Sequence, residues 1–422
     1  MSISPFFRSA LSVAVVAAST QALANGVAIN EQSASSMGTG FAGRSSSAHD
    51  ASTVFGNPAG MSRLERTEIS GGLALIHAST DISNASSSAE GSNDGDMVPF
   101  TAIPFGYYVK PLNEDWHFGL GVYVPFGVIS DYERGFQGRY HGVTSEVQVV
   151  TLQPTLSYRI NDRVAIGFGP TINHIQGKLT NTVVNPLDPA GEDARVNIQG
   201  DDWGYGFNLG VLVDLSDQVA LGITYRSAVD YTLKGRTRVN NMPVAELNGR
   251  YDASLDFTSP ESVDVSLTYA MDDRWTLFAG TTWTRWSRLQ EIIVENRQVP
   301  DPLAGRLGSI EEELNWSDTW AFALGAQYQL NPRLVLRTGL AFDRSPTTDT
   351  DRTVRIPVGN RKILSFGAGW EANDNLTLDV AYAYLREDRA RVSYADSATT
   401  PGYSADFRNS AHALSTQVTY RY

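Results

Sequence analysis

Side chains that could perform acid–base or nucleophilic chemistry are present in this chain, but they are scattered. No cysteine occurs, and no histidine stands in a metal-ligand spacing or beside a nucleophile-elbow sequence. The histidines are His49, His77, His117, His141, His174 and His412. The sequence therefore does not favour an enzyme, and it indicates neither a metal site nor a cofactor.

The elements that would position functional residues are clearest at the C-terminus, from Ala413 to Tyr422. Leu414, Val418, Tyr420 and Tyr422 fall on one face of an extended chain, and small or polar residues fall on the other. A strand with one apolar face, one polar face and aromatic residues at its end is typical of the wall of a membrane β-barrel.

The same alternation recurs along most of the chain. The first predicted outward-facing set is Ile103, Phe105, Tyr107 and Val109. Further sets lie within residues 118–124, 150–158, 164–172, 205–213, 219–225, 263–269, 320–328, 334–342, 364–370 and 376–384. Many residues between them are Gly, Ala, Ser, Thr, Asn or Asp, so the other face is too polar for the dry core of a soluble sandwich.

The connections between the predicted strands alternate between short turns and long loops. The short turns are Asn113–Asp115, Asn161–Asp162, Ser216–Asp217, Asp272–Asp273, Asn331–Pro332 and Asn373–Asp374. Long connections lie near residues 80–97, 131–145, 182–201, 235–252, 290–315, 344–360 and 386–409. These six turns and seven loops predict an all-β protein, a transmembrane antiparallel β-barrel of about 14 strands with both ends in the periplasm.

The first 24 residues have the features of a secretory signal peptide. Arg8 precedes the apolar run Ala10–Ala18, which is too short to span a bilayer as a helix. Ala22-Leu23-Ala24 is a cleavage site of small residues, so the mature chain is predicted to begin at Asn25. These features place the barrel in the outer membrane of a Gram-negative bacterium.

The charge balance argues against a nucleic-acid partner. The formal net charge is −13, and basic stretches are absent. We interpret the excess of acidic residues as solvated loops.

Residues 25–65 do not alternate and are rich in small residues, with scattered apolar ones such as Val27, Ile29 and Phe41. A segment of this length fits inside a barrel of this width, and wide barrels are often plugged. A disordered periplasmic tail is the alternative, although the apolar residues argue against it. We therefore predict a signal peptide at 1–24, an N-terminal hatch in the lumen at 25–65, and the barrel at 66–422.

Several short motifs occur in order along the mature chain. They are Ile29-Asn30-Glu31, Ser33–Gly43, His49-Asp50-Ala51, Asn57-Pro58-Ala59-Gly60, Gly200–Asn208, Thr224–Ser227, Trp283–Ser287, Arg337–Asp343 and Ser345-Pro346. Together they resemble the motifs of the long-chain fatty acid outer-membrane transporters of the FadL/TodX type. The resemblance covers the whole mature chain.

The resemblance implies a passive channel for long-chain fatty acids or similar hydrophobic compounds. In that family the ligand is captured in a groove between extracellular loops and then binds a deeper pocket near the start of the hatch. It leaves sideways beside an inward kink of the third strand. The implied partners are the hydrophobic ligand, outer-membrane lipid and lipopolysaccharide, and the barrel assembly machinery. The implied protein is a monomer without a cofactor.

The third strand contains Pro125 and Gly127. Proline cannot donate a hydrogen bond to a strand ladder, and glycine permits a bulge. We therefore predict that these two residues form the lateral-gate kink that the resemblance implies. An irregularity of the barrel rim without function is the alternative.

The predicted loop groove draws on apolar residues of the third and fourth long loops. They are Val183, Val184, Leu187, Met242, Val244 and Leu247. Exposed apolar clusters often mark binding surfaces, although these residues could equally pack the loops against each other.

The predicted deep pocket combines apolar and aromatic groups with cations that could hold a carboxylate. Its residues are Val27, Ile29, Tyr108, Tyr123, Phe278, Trp286, Arg288 and Arg337. An ion pair within the lumen is the alternative role of Arg337. The fatty acid transporter of the family carries a basic residue at the end of the fifth strand, where this chain has Leu179-Thr180-Asn181. Neutral hydrocarbons or aromatics are therefore an alternative cargo, and a structural or enzymatic barrel is a second alternative.

Overall fold

The computed structural model describes residues 27–185, 192–242, 246, 248–300, 305 and 308–422. The predicted signal peptide, and Leu187, Val244 and Leu247 of the predicted loop groove, lie outside the described residues. Within the described ranges, no helix is long and apolar enough to cross a membrane.

In the described part of the chain, fourteen antiparallel strands form one closed sheet, and five of them are interrupted once. The strands are β1 (Glu68–Ser87), β2 (Thr101–Pro111), β3 (Trp116–Asp131), β4 (Thr144–Asn161), β5 (Val164–Val183), β6 (Ala194–Asp214), β7 (Val219–Arg226 and Val229–Asn240), β8 (Gly249–Ser259 and Ser262–Ala270), β9 (Trp275–Thr284 and Glu291–Arg297), β10 (Ser309–Glu313 and Thr319–Asn331), β11 (Leu334–Asp343), β12 (Arg361–Asn373), β13 (Leu376–Glu387 and Ala390–Tyr394) and β14 (Tyr403–Arg421). Pairing of β1 with β14, from Glu68 opposite Arg421 to Ser87 opposite Tyr403, closes the barrel. The predicted fold class is confirmed.

The short turns lie where their sequences predict them. In the turn between β4 and β5, the Asn161 carboxamide oxygen accepts hydrogen bonds from the backbone N–H groups of Arg163 and Val164. Asp272 accepts in the same way from Arg274 and Trp275 between β8 and β9. Such side-chain turns fix a tight reversal, so the strands on either side are held in register.

The predicted outward face of β2 is wrong. Ile103, Phe105, Tyr107 and Val109 are buried, and Tyr108 lies on the opposite, outer face. Phe105, Tyr107 and Val109 pack in one cluster with Val54, Phe55 and Met61 from the N-terminal part of the chain. The inner face is apolar here because it packs against apolar residues of that segment, so the alternation on β2 has the reverse meaning.

The N-terminal segment, residues 27–67, contains the short helices α1 (Ala34–Gly38) and α2 (Thr53–Gly56), followed by a 3-10 helix, Pro58–Arg63. The side chains of Ser33 and Asn57 cap two of these helices by accepting backbone N–H hydrogen bonds. Asn57 also donates to the carbonyl of Val211 in β6, 2.9 Å away. The motif Asn57-Pro58-Ala59-Gly60 thus starts a helix and fixes it to the wall.

This segment lies against inward-facing residues on many sides of the barrel. Its hydrogen bonds reach Gln153 in β4, Asp264 in β8 and Gln417 in β14. A β-carbon at Gly210 would meet the side chain of Asn57, and one at Gly339 would meet the backbone of Thr39. Glycine at these wall positions allows the close approach. That the segment is a movable hatch, with the boundaries given above, stays a prediction.

Candidate functional site

The third strand is irregular at Val124 and Pro125. The pairing of β3 with β4 shifts register between Tyr123 and Phe126. On its other side, β3 pairs with β2 only from His117 to Val122, opposite Pro111 to Gly106. The wall is therefore incompletely paired between β2 and the upper half of β3, at the proline that predicted the kink.

The start of the N-terminal segment pairs with β3 along the edge that β2 leaves unpaired. Ala28 forms an antiparallel bridge with Phe126. The N–H of Gly127 donates to the carbonyl of Val27 over 2.7 Å, and the N–H of Ile29 donates to the carbonyl of Pro125 over 2.9 Å. Two backbone hydrogen bonds thus join residues 27–29 to the kink.

Gln32 satisfies the backbone of the bulge itself. Its side-chain amide donates to the Val124 carbonyl over 2.6 Å and accepts from the Val124 N–H over 3.3 Å. The Gln32 carbonyl in turn accepts from the Tyr107 hydroxyl at 3.0 Å. Gln32 therefore replaces a neighbouring strand at Val124, one of the two residues of β3 that have no partner on β4.

A cavity of about 90 Å³, the kink cavity, lies beside this junction. It is lined on one side by Ile29, Phe41 and Phe55 of the N-terminal segment and on another by Pro125 and Phe126 of β3. Its lining also includes Arg44, Arg226, Asp264 and Asp343. The kink cavity is thus apolar with charged groups, as expected for an amphipathic ligand.

A second cavity, the central cavity, is a neighbour of the kink cavity. Val27 lines the central cavity and the next residue, Ala28, lines the kink cavity. It has a volume of about 80 Å³ and a lining that is almost wholly apolar, including Val27, Val128, Leu289, Trp316 and Ile356. Both cavities are small, so a long acyl chain has to displace side chains to occupy them.

A third, larger space of about 520 Å³ lies among the extracellular connections. It shares Leu179, Ile198, Ile292 and Val294 with the lining of the central cavity. His141 lies at its rim, stacked on Tyr394 with ring centroids 3.8 Å apart. Burial lowers the pKa of His141, so its imidazole is neutral near pH 7.

The predicted loop-groove residues lie behind this space. Val183 and Met242 are half-buried and pack against one apolar cluster, which contains Val196 and Ile198. Val184 is also half-buried. The third and fourth loops therefore pack against each other, and Ile198 connects their cluster to the groove.

The aromatic residues predicted for the deep pocket lie inside the barrel. Trp286 is fully buried between Phe126 and Trp316, with ring centroids 6.4 and 5.3 Å away. Phe278 packs edge-on against His49. Tyr123 donates a hydrogen bond to Gln153. Val27 and Ile29 lie at the cavities, whereas Tyr123 and Phe278 contact the N-terminal segment away from them.

The two arginines predicted to hold a carboxylate already have carboxylate partners. Arg337 is buried and donates to Asp379 over 2.5 Å, which is the alternative that the sequence left open. Arg288 is one-third exposed and binds Glu261 through two nitrogens. The prediction that Arg288 faces inward is wrong, because a 3-10 turn, Trp286–Arg288, interrupts the alternation of β9.

Arg226 is the cation that the sequence analysis missed. Its guanidinium donates to the carbonyls of Phe55 and Gly56 and lies 4.4 Å from the centre of the Phe55 ring. Its buried Nε has no hydrogen-bond partner within the described ranges. The nearby Asp264 is paired with Arg44 instead, over 2.7 Å. Arg226 could have been found in the sequence, because it lies in the motif Thr224–Ser227 at a position whose side chain faces inward.

The fold and the site define a class of protein: an outer-membrane β-barrel whose lumen contains its own N-terminal segment. Residues 15–422 match the family described as outer membrane protein transport protein (OMPP1/FadL/TodX). The chain belongs to this family.

Individual relatives agree along nearly the whole length. The chain is 29% identical over 413 residues to the long-chain fatty acid transport protein of Salmonella typhi, covering 92% of this chain and 93% of that one. Among solved structures it is similar to a Pseudomonas aeruginosa FadL homologue, with a TM-score of 0.83, 21% identity, and coverage of 94% of this chain and 99% of that one. The Pseudomonas putida toluene transporter TodX superposes with a TM-score of 0.67 at 18% identity, over 94% of this chain and 99% of that one.

Proposed function

We propose that this protein is a passive outer-membrane channel for long-chain fatty acids or similar hydrophobic compounds. The observation that carries the proposal is the series of spaces from the loops to the kink. The space among the extracellular connections shares four apolar residues with the central cavity, and Val27 and Ala28 connect that cavity to the kink cavity. The names of the relatives support the same cargo class.

The chemistry of these linings suits a hydrophobic cargo. Each methylene that leaves water gains about 0.8 kcal/mol, so a continuous apolar path binds a long chain far better than a water-filled pore would. No energy source is needed beyond the gradient and removal of the cargo inside the cell. The small volumes require that side chains or the N-terminal segment move during passage.

The incompletely paired wall supports a lateral exit. Between the unpaired edges of β2 and β3, the barrier is the docked start of the N-terminal segment. Release of residues 27–29 would break two backbone hydrogen bonds and open the kink cavity toward the bilayer. We infer that this release is the gating step, with Pro125 and Gly127 at the gate.

A half-buried arginine without a carboxylate partner among the described residues favours an acid over a neutral cargo. Arg226 lines the kink cavity, and its unsatisfied Nε has a hydrogen bond to give. A carboxylate there would gain a charge-assisted hydrogen bond. Arg288 and Arg337 are less suited, because each is already paired.

The test is uptake in cells that lack their own fatty acid transporter and express this chain. We expect oleate uptake to rise above that of the empty vector. A neutral alkane offered in parallel separates the two cargo classes, because its uptake alone would favour a hydrocarbon channel. Uptake of neither compound, with heat-modifiable mobility showing an inserted barrel, would overturn the proposal.

A further inference from the structure

A groove of about 610 Å³ lies on the outer face of the barrel wall, across β4 to β8. Ile175, Ile198 and Leu233 are buried in the interior clusters of this region. The alternate residues of the same strands, including Lys178 and Arg236, therefore project outward. The groove thus lies on the opposite face of the wall from the central cavity, and the two share wall residues of β5 to β7: Gly177, Lys178, Gln199, Gly200 and Gly235.

A row of three glycines crosses the wall at the groove. Gly177 pairs with Gly200, and Gly200 pairs with Gly235 on the next strand. All three glycines line the groove. By strand alternation their missing side chains would face the interior, beside Ile175, Ile198 and Leu233. The glycines therefore belong to the floor of the groove through their backbone, and the outward-facing neighbours form its rim.

The rim of the depression is basic, although the chain as a whole has a net charge of −13. Lys178, Arg236, Arg238 and Arg250 line it, against the two carboxylates Glu146 and Asp201. Lys178 and Arg236 flank Gln199 in one row, and Arg238 lies opposite Arg250. None of these four cations forms an ion pair with a carboxylate among the described residues.

The cations lie at the level of lipid headgroups. Trp203, whose ring is tilted against that of His174 with centroids 4.6 Å apart, is the last outward-facing apolar residue of β6 before the polar Asp201 and Gln199. Gln199, beside Lys178 and Arg236, is four residues further along the strand, which is about 13 Å along a strand and about 10 Å along the membrane normal. The headgroup layer starts where the hydrocarbon ends and is roughly 6 Å thick per leaflet. The backbone of this row therefore lies just beyond the outer edge of the headgroup layer, and the long side chains of Lys178 and Arg236 can reach back to it.

We propose that this basic groove binds the phosphates of a lipopolysaccharide molecule in the surrounding outer leaflet. Lipopolysaccharide is the anionic lipid of that leaflet, and its phosphates lie at the base of its sugar head. Arginines bind phosphate oxygens with paired N–H groups, and here they are unpaired and exposed. The acyl chains would lie on the belt below, against Trp203 and Tyr205, which is 67% exposed.

The test titrates delipidated full-length protein in detergent with lipopolysaccharide and measures bound lipid and the thermal midpoint. The variant R236Q/R238Q/R250Q removes three cations from the groove. Its control, K110Q/R274Q/R333Q, removes three from the opposite, short-turn end. We expect the first variant to bind on the order of 100-fold more weakly, from roughly a fivefold loss per cation, and the control to bind like the parent protein.

Further measurements test whether the loss of lipopolysaccharide binding comes from lost phosphate contacts, from the acyl chains or from a folding defect. Dephosphorylated lipopolysaccharide with the same acyl chains should bind the parent protein as weakly as the groove variant binds the phosphorylated form. The charge-conserving R236K/R238K/R250K should retain most of the affinity, which excludes a folding defect. Equal binding by the groove variant, equal binding of the dephosphorylated lipid, or displacement by inorganic pyrophosphate at equal concentration would each overturn the proposal.

Discussion

At the residue scale, Arg226 differs from Arg44, Arg288 and Arg337 in having no carboxylate partner in the described part of the chain. It is held by two backbone carbonyls and an aromatic ring, which position the guanidinium without neutralising it. The kink cavity therefore has one cation available to a ligand.

Replacing Arg226 with glutamine should separate acidic from neutral cargo. A hydrogen bond to a charged group contributes about 1.5–3 kcal/mol, so we expect oleate uptake to fall by roughly 10-fold or more. Alkane uptake should stay within about twofold, and R226K should retain part of the oleate uptake. Unchanged oleate uptake in R226Q, or an equal loss of both cargoes, would contradict the role of Arg226.

We expect the half-buried His49 to make the docking of the N-terminal segment depend on pH. Burial, together with the nearby charge of Arg337, lowers the pKa of His49 to about 4. Because the folded pKa lies below the ordinary value near 6.5, stability is full above pH 6.5 and is lost as pH falls toward 4. The complete loss would be up to about 3 kcal/mol.

We therefore expect the hydrogen-exchange protection factors of residues 27–67, which correct for the intrinsic pH dependence of amide exchange, to fall between pH 6.5 and 4.5. H49F, which keeps a ring against Phe278, should remove most of this pH dependence. If the parent protein and H49F respond alike, His49 is not the titrating group.

Individual site residues were only partly predictable from sequence. Trp286 was found because large apolar residues at inward positions have few other roles in a polar lumen. Ile29 was found because the family resemblance places the pocket near the start of the N-terminal segment. Arg337 and Arg226 look alike in the sequence, and only the position of Asp379 and Asp264 in space distinguishes a paired cation from an available one. Gln32 lies in a segment without periodicity, so nothing in the sequence marked its contact with Val124.

At the element scale, the N-terminal segment and the wall fit because wall glycines admit its backbone. G339A would place a methyl group against the backbone of Thr39, which costs about 1–3 kcal/mol of docking energy. We expect faster proteolysis within residues 27–67 and a larger single-channel conductance. G106A is the matched control, because a β-carbon there meets nothing within 4 Å. Identical proteolysis of the two variants would contradict close docking.

Elements were predicted better than the direction that they face. Turn residues such as Asn161 and Asp272 act locally, so the strand boundaries follow from sequence. On β2 the sequence correctly predicted an alternating strand, but the large apolar residues that were predicted to face outward face inward. The reason is that Val54 and Met61 make the local interior apolar, and that contact depends on the tertiary structure.

At the scale of the whole molecule, a closed wall and a gap in its pairing coexist. β1 and β14 close the barrel along their full length, whereas β2 and β3 are paired only near the periplasmic end. The N-terminal segment completes the pairing of β3 from inside. Closure therefore depends on a segment that is covalently continuous with the wall but held there by few backbone hydrogen bonds.

The most direct measurement of this account is uptake with residues 27–29 locked to the kink. Ala28 and Phe126 form a non-hydrogen-bonded antiparallel pair, a spacing that suits a disulfide, and the chain has no cysteine of its own. S70C/T419C is the control, because it joins β1 to β14, which have no need to separate. We predict that oxidised A28C/F126C loses oleate uptake by at least about 10-fold and regains it on reduction, while the control is unaffected. Full uptake by the oxidised, fully cross-linked A28C/F126C would contradict the lateral route.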